Sequence, residues 1–220
     1  MILFIIFPAI IVAVTGHDCH RGKLTSLQRD IIYDEHNKYR SRLVKGNFAN
    51  KDGNSMPKGK NMMEMEWDCE LEISAQNWAD QCIFGYSPEN QREGVGENIY
   101  ALGLPKDVEV FNTSAALFAI ESWWTELIRS YRNNPSNKLT SSVASQDVLH
   151  FTQMAWGKTH KVGCGIAMHC DDGEAFIVVC HYAPRGNTIG ELIYEQGSPC
   201  KVNKHCRTKK CSRKSGLCKK

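Results

Sequence analysis

The sequence predicts a layered α–β–α domain with a short cysteine-rich C-terminal extension, and three observations predict it. Apolar residues recur at helical spacing through several segments of the first two thirds of the chain. Beyond them the period changes to two, in the runs Gly163 to His169 and Ala175 to Tyr182, joined by the hairpin signal Asp171-Asp172-Gly173. The run from Ala175 to Cys180 is apolar at every position, so that strand must be covered on both faces by helices.

Residues 1–16 hold no charged side chain and are apolar almost throughout. A bilayer-spanning helix needs about 20 residues, so the run is too short to be one. Small residues at Val14 and Gly16 suit a cleavage site, and the segment reads as a secretory signal peptide. The mature product is expected to be secreted and extracellular, with residues 17–197 as one domain and 198–220 as a tail.

All ten cysteines lie in the mature portion: Cys19, Cys69, Cys82, Cys164, Cys170, Cys180, Cys200, Cys206, Cys211 and Cys218. An even count behind a leader argues for disulfides over zinc or redox thiols, although the Cys206–Cys211 spacing could mimic a metal knuckle. Asn112-Thr113-Ser114 is a glycosylation sequon, expected in an exposed loop.

The first helix is capped by Thr25 or Ser26 and carries Leu27, Ile31, Ile32, Tyr39 and Leu43, with Gly46 beyond its end. Residues 46–61 read as loop. A second helix is expected from Met65 to Phe84, where Trp67, Leu71, Ala75, Trp78 and Cys82 form an apolar stripe stopped by Gly85. Residues 86–96 are loop, 98–101 a short strand, and 102–114 irregular. Ser114 then caps a third helix with Leu117, Ile120, Trp124, Leu127 and Tyr131 on one side.

The stretch His150-Phe-Thr-Gln-Met-Ala-Trp-Gly-Lys-Thr-His160 concentrates polar function inside apolar surroundings. Ser145 and Asp147 can cap a short helix there, setting His150 and Met154 on one face. On the residues alone, a core histidine with a hydrogen-bond partner is the simpler reading of His150, and a site histidine the sharper one.

Charge is uneven. Residues 201–220 hold nine Lys or Arg and no acid, whereas the preceding chain has 18 basic and 24 acidic residues. The tail is either a solvated knob or a contact for an anionic glycan or membrane surface. Nucleic acid is disfavoured, because no aromatic residue sits among those charges to stack on a base.

Three motifs, Gly96-Glu-Asn-Ile-Tyr100, His150-Phe-Thr-Gln-Met-Ala-Trp156 and Val179-Cys-His-Tyr-Ala-Pro-Arg-Gly-Asn187, together resemble the signatures of the CAP superfamily of cysteine-rich secretory, antigen 5 and pathogenesis-related 1 proteins. The short cysteine-rich tail is most similar to that of nematode venom-allergen-like, or activation-associated secreted, proteins. The resemblance covers about Leu27 to Asn187. It departs at Leu149, where a small or charged residue is usual, and at Thr188.

The resemblance implies a three-layer α–β–α sandwich with a central antiparallel sheet and a partly open cavity, where two His and two Glu of relatives can hold a divalent metal, often zinc. Carried over residue by residue, these positions are Glu97, Glu126 of Trp123-Trp-Thr-Glu126, His150, and Tyr86 in place of the second His. An unperturbed phenol titrates near 10 and is a poor zinc ligand at neutral pH. The expectation is therefore weak or absent zinc binding, no required cofactor, and a hydrogen-bonded cluster of Tyr86, Glu97, Glu126 and His150; any metal would fall to His150, Glu97 and Glu126. Alternatively, Glu97 ties the preceding loop to the strand. Ser87 adjoins the cluster without a nucleophile-elbow context, so no catalytic residue is assigned and the protein is expected not to be an enzyme. A metal-dependent hydrolase is the least favoured reading.

The family resemblance further implies lipid binding. A sterol would sit at the loop between Gly96-Glu-Asn and the third helix, where Leu102, Leu104, Val108, Val110 and Phe111 are the candidates beside Gly103 and Pro105. A fatty acid would need a groove between helices, here the first and the one at His150. The alternative is a non-enzymatic effector acting on host proteins or glycans. By the same resemblance Cys164 pairs with Cys180 and Cys82 with Cys170. The four tail cysteines could pair among themselves, leaving Cys19 with Cys69. Each bridge would contribute ~2–4 kcal/mol.

Overall fold

A computed structural model describes residues 18–104 and 110–220. The expected leader of residues 1–16 and the loop candidate Val108 lie outside the described residues. Among those described, no helix is long and apolar enough to cross a membrane.

Helix α1 spans Ser26–Val44 and starts with a capping box, in which Thr25 accepts from the Gln28 amide and Gln28 reaches back to the Thr25 amide. Its buried stripe differs from the expected apolar one. Arg29, Ile32, His36, Arg40 and Leu43 are inside, whereas Leu27 is exposed. Three of those five are polar, and each has partners that only the tertiary fold supplies.

Two short strands follow, β1 (Gly59–Lys60) and β2 (Glu66–Trp67), then helix α2 (Cys69–Ala79). The helix is shorter than expected at both ends. Asp68 is extended and its carboxylate accepts from the Glu70 and Leu71 amides, so Trp67 belongs to the strand before the cap. After Ala79 the chain turns, with Cys82 in the left-handed region and tied to Cys170. Strand β3 (Gly96–Gly103) exceeds the expected 98–101. Helix α3 covers Asn112–Arg129 with Phe111, not Ser114, at its N-cap. The sequon residue Asn112 is thus the first helical residue and half-buried, not part of an open loop.

Helices α4 (Ser141–Ala144) and α5 (Leu149–Ala155) frame the His150 stretch. Thr140 caps α4, while the cap of α5 is Val148 with no side-chain bond. Ser145 instead closes α4, and Asp147 takes a positive φ in the tight turn between the helices. Strands β4 (Lys161–Cys170) and β5 (Ala175–Ala183) form the expected hairpin, its turn made by the positive-φ residues Asp171, Asp172 and Gly173. Strands β6 (Glu195–Gln196), β7 (Cys211–Ser212) and β8 (Leu217–Cys218) complete the chain.

The central sheet has the order β2-β4-β5-β3, antiparallel except for the short β2–β4 pair. One face, with Cys164, Phe176, Val178 and Tyr182, packs on α1, α3 and α5; the other, with Ile99, Ile177 and Val179, packs on α2. The α2 layer lies unusually close. A Cβ on Gly163 would stand 2.2 Å from the Glu72 amide nitrogen, and one on Gly165 2.3 Å from Gln76 Cα, so only glycine fits at either position. Where β2 has ended, Gln76 takes over as a partner for β4, giving Nε2 to the Ile166 carbonyl and accepting from its amide, both at 2.9 Å.

Every cysteine is paired: Cys19–Cys69, Cys82–Cys170, Cys164–Cys180, Cys200–Cys211 and Cys206–Cys218. The sulfurs of Cys200, Cys206 and Cys211 lie close together, but disulfides consume them and leave no thiolate for a metal. The tail packs back on the body, with Cys218 bridging to Met63 and Ser41 donating to the Ser215 carbonyl.

Candidate functional site

The three motifs meet at the β3 edge of the sheet, where the loop after α2 crosses from one face to the other. Adjacent residues of that loop serve opposite faces. Tyr86 reaches the α3–α5 side, and Ser87 the α2 side.

On the first side, His150 is the centre of a linear chain. Its Nδ1 lies 2.6 Å from Glu126 Oε1, and its Nε2 lies 3.1 Å from the Tyr86 hydroxyl. The other Glu126 oxygen accepts from the Phe151 amide at 2.9 Å. The carboxylate accepts from Nδ1–H and so fixes that tautomer, leaving Nε2 to accept from the phenol. The His150 ring also stacks between Tyr86 and Trp123, at centroid distances of 6.4 and 6.2 Å. Asn98 anchors the backbone below by donating to the His150 carbonyl.

Glu97 is placed apart from this trio. In the ladder it stands opposite His181, on the α2 face with Ile99. Its carboxylate accepts from the Ser87 amide at 2.8 Å, the Ser87 hydroxyl at 2.6 Å and His181 Nε2 at 2.8 Å. Burial opposes its charge, but the bonds from His181 and Ser87 outweigh that and hold the carboxyl below its usual value. Glu97 therefore ties loop to strand and splits away from a four-member cluster. The His181 Nδ1 is buried with no partner among the described residues. His181 was missed in the sequence reading, although a lone imidazole ending an apolar strand inside a motif was the available signal.

A cavity of about 390 Å³ opens here, lined by Tyr86, Arg92, Glu97, Leu149, Gln153 and Arg185 among others. His150 and Glu126 do not line it. The Nε2 lone pair of His150 is engaged by the phenol, and Glu97 already accepts from three donors, so neither is free to bind zinc without giving up a bond. Partial burial raises the Tyr86 pKa, and Glu126 and Glu97 raise it further, which makes the phenol a poorer zinc ligand than an imidazole. Ser87 is buried and its hydroxyl donates to the Glu97 carboxylate.

The loop candidates divide by role. Leu104 and Val110 pack against the main core, whereas Leu102 and Phe111 are exposed. Phe118, which the sequence reading passed over, is 50 % exposed two turns beyond Phe111, itself 67 % exposed.

Residues 33–182 match the model of the Cysteine-rich secretory protein family, CAP. The Ancylostoma secreted protein of Ancylostoma caninum is 36% identical over 198 residues, which cover 89% of this chain and 45% of that protein. The chain spans about half the length of several curated relatives it matches. Among solved structures, BmVAL-1 superposes with a TM-score of 0.91 at 55% identity, covering 93% of this chain and 99% of that one. NaASP2, solved with Zn2+, gives a TM-score of 0.80 at 35% identity, covering 91% of this chain and all of that one. With its three motifs gathered at one sheet edge and these likenesses over nearly its whole length, the chain belongs to the cysteine-rich secretory protein (CAP) family, alongside the venom-allergen-like proteins.

Proposed function

We propose that this protein is an extracellular, non-enzymatic carrier of small lipids, sterol first and fatty acid second, which enter at the foot of the loop between β3 and α3. The observation that carries this reading is the display of Leu102, Phe111 and Phe118 to solvent on the two elements that flank the loop. Exposed large apolar side chains on both flanks of one loop favour an apolar ligand there. A leader-like N-terminus and five disulfides support export. Tritiated cholesterol should bind the mature protein saturably, and Phe111→Asp should weaken it by about tenfold, or about 1.4 kcal/mol. No saturable binding would sink the carrier reading in favour of a surface effector. That second reading is supported by the cationic tail, which suits contact with host proteins or an anionic glycan.

The engagement of both His150 ring nitrogens supports a protein that works without zinc. Calorimetry of the mature protein should show no stoichiometric zinc uptake at low micromolar concentration. A one-to-one site abolished by His150→Ala would overturn this.

A further inference from the structure

Glu126, His150 and Tyr86 form a line of carboxylate, imidazole and phenol. Glu126 Oε1 accepts from His150 Nδ1 at 2.6 Å, and the Tyr86 hydroxyl donates to Nε2 at 3.1 Å. The Phe151 amide fixes the other Glu126 oxygen, and Asn98 holds the His150 carbonyl, so the imidazole is anchored at both ring and backbone. A hydroxyl hydrogen-bonded to a base that a third group orients is the arrangement that activates a nucleophile.

Exposure separates Tyr86 from the other tyrosines. All seven are among the described residues, and Tyr86 alone is exposed, at 53 %. Tyr182 also shares a hydrogen bond with an imidazole, that of His36, but it is fully buried. Tyr86 lines the cavity of about 390 Å³ whereas His150 and Glu126 do not, so a ligand there meets the phenol before its base. Leu149 and Ile189 are exposed on the same lining and suit an aliphatic group. Arg92 and Arg185 line it too, and a guanidinium favours negative charge on a carbonyl oxygen under attack. Partial burial, with Glu126 and Glu97 adding to it, keeps the phenol protonated at rest, so its reactivity depends on proton removal by His150 and not on free phenolate.

We propose that Tyr86 is a nucleophile that captures an acyl group from an activated aryl ester, with His150 as its general base and Glu126 as a positioning residue. The phenolic oxygen attacks the ester carbonyl as its proton passes to His150 Nε2. The tetrahedral adduct expels the aryl oxide, which takes that proton from His150, so the products are O-acyl-Tyr86 and a free phenol. The transfer runs forward when the departing phenol is more acidic than tyrosine, and it needs no other reactant. This single transfer goes beyond the carrier reading and uses none of Leu102, Phe111 and Phe118.

The probe is p-nitrophenyl butyrate, mixed with the mature, disulfide-intact protein near neutral pH and quenched in acid. A burst of p-nitrophenolate should accompany the gain of a butyryl group, which peptide mapping should place on Tyr86 about tenfold ahead of any other tyrosine. Tyr86→Phe keeps the ring and should remove both the burst and the adduct. His150→Gln should slow labelling of Tyr86 by about a hundredfold, and Glu126→Gln by about tenfold. Butyrylation of surface lysines in the same samples should stay level across the variants, which separates loss of the base from loss of the fold. Phe111→Asp should leave Tyr86 labelling unchanged, so failure of cholesterol binding and failure of this transfer are read separately. A burst that persists in Tyr86→Phe, an adduct on another residue in place of Tyr86, or a Tyr86 rate unchanged in His150→Gln would overturn the proposal.

Discussion

Replacing Arg40 by leucine is expected to destabilise the fold by about 4–5 kcal/mol, a size reserved for buried networks and large cavities. The guanidinium is fully buried, on the last turns of α1. It donates to four carbonyls: Met63 through Nε and one amino group at 3.0 and 2.7 Å, Met154 at 2.7 Å, Trp156 at 2.9 Å and Thr159 at 3.0 Å. Two of these carbonyls end α5, so the side chain acts as the C-terminal cap of the helix that carries His150. Leucine would leave them buried without a donor, at about 1–3 kcal/mol each before any relaxation. Lysine keeps the charge but lacks the planar fork, so Arg40→Lys should recover only part of the loss. Urea unfolding with the disulfides intact measures both variants. A change of less than about 1 kcal/mol in Arg40→Leu would show that water replaces the fork at no cost.

Arg40 also shows where sequence reasoning stopped. The period-two runs, the Asp171-Asp172-Gly173 turn and the doubly covered strand were legible because each is a local pattern with one physical solution. The polar interior of α1 was not, because Arg29, His36 and Arg40 look like solvent-facing residues until distant groups arrive. Glu72 and Trp67 come to Arg29, with Glu72 bridging both, and Tyr182 comes to His36. The same limit applied at the site. Tyr86, Glu126 and His150 meet at one edge of the sheet, and their grouping followed from residue matching. Glu97 sits in the same motif set, yet strand alternation turns it to the opposite face, and only the register with His181 reveals that. The ends of α2 were misread because the apolar stripe continues past both of them. A cap at Asp68 and the left-handed turn at Cys82 decide where the helix exists.

Stability should fall as pH is lowered from about 6.5 to about 4, with His36 responsible for roughly 3 kcal/mol of the change. His36 is completely buried, with Nδ1 2.8 Å from the Ile32 carbonyl and Nε2 3.0 Å from the Tyr182 hydroxyl. The neutral ring satisfies both, donating from Nδ1 and accepting at Nε2. Burial pulls its pKa from 6.5 down to about 4, the neighbouring Arg40 guanidinium adds to the pull, and the Ile32 carbonyl resists it. Between those values the unfolded chain binds a proton that the folded chain refuses. Stability therefore rises with pH through this window and is flat with respect to this group above it. Carboxyls held below their usual values, such as Glu97 and Asp68, add a loss further into acid, as their paired charges are neutralised. His36→Gln separates the contributions, since it keeps a donor and an acceptor but does not titrate. It should lower stability at pH 7 and remove most of the slope between about pH 6.5 and 4, so that the two proteins converge in acid. Equal slopes in both would mean that the ring is protonated within the fold and that Tyr182 turns to donate elsewhere.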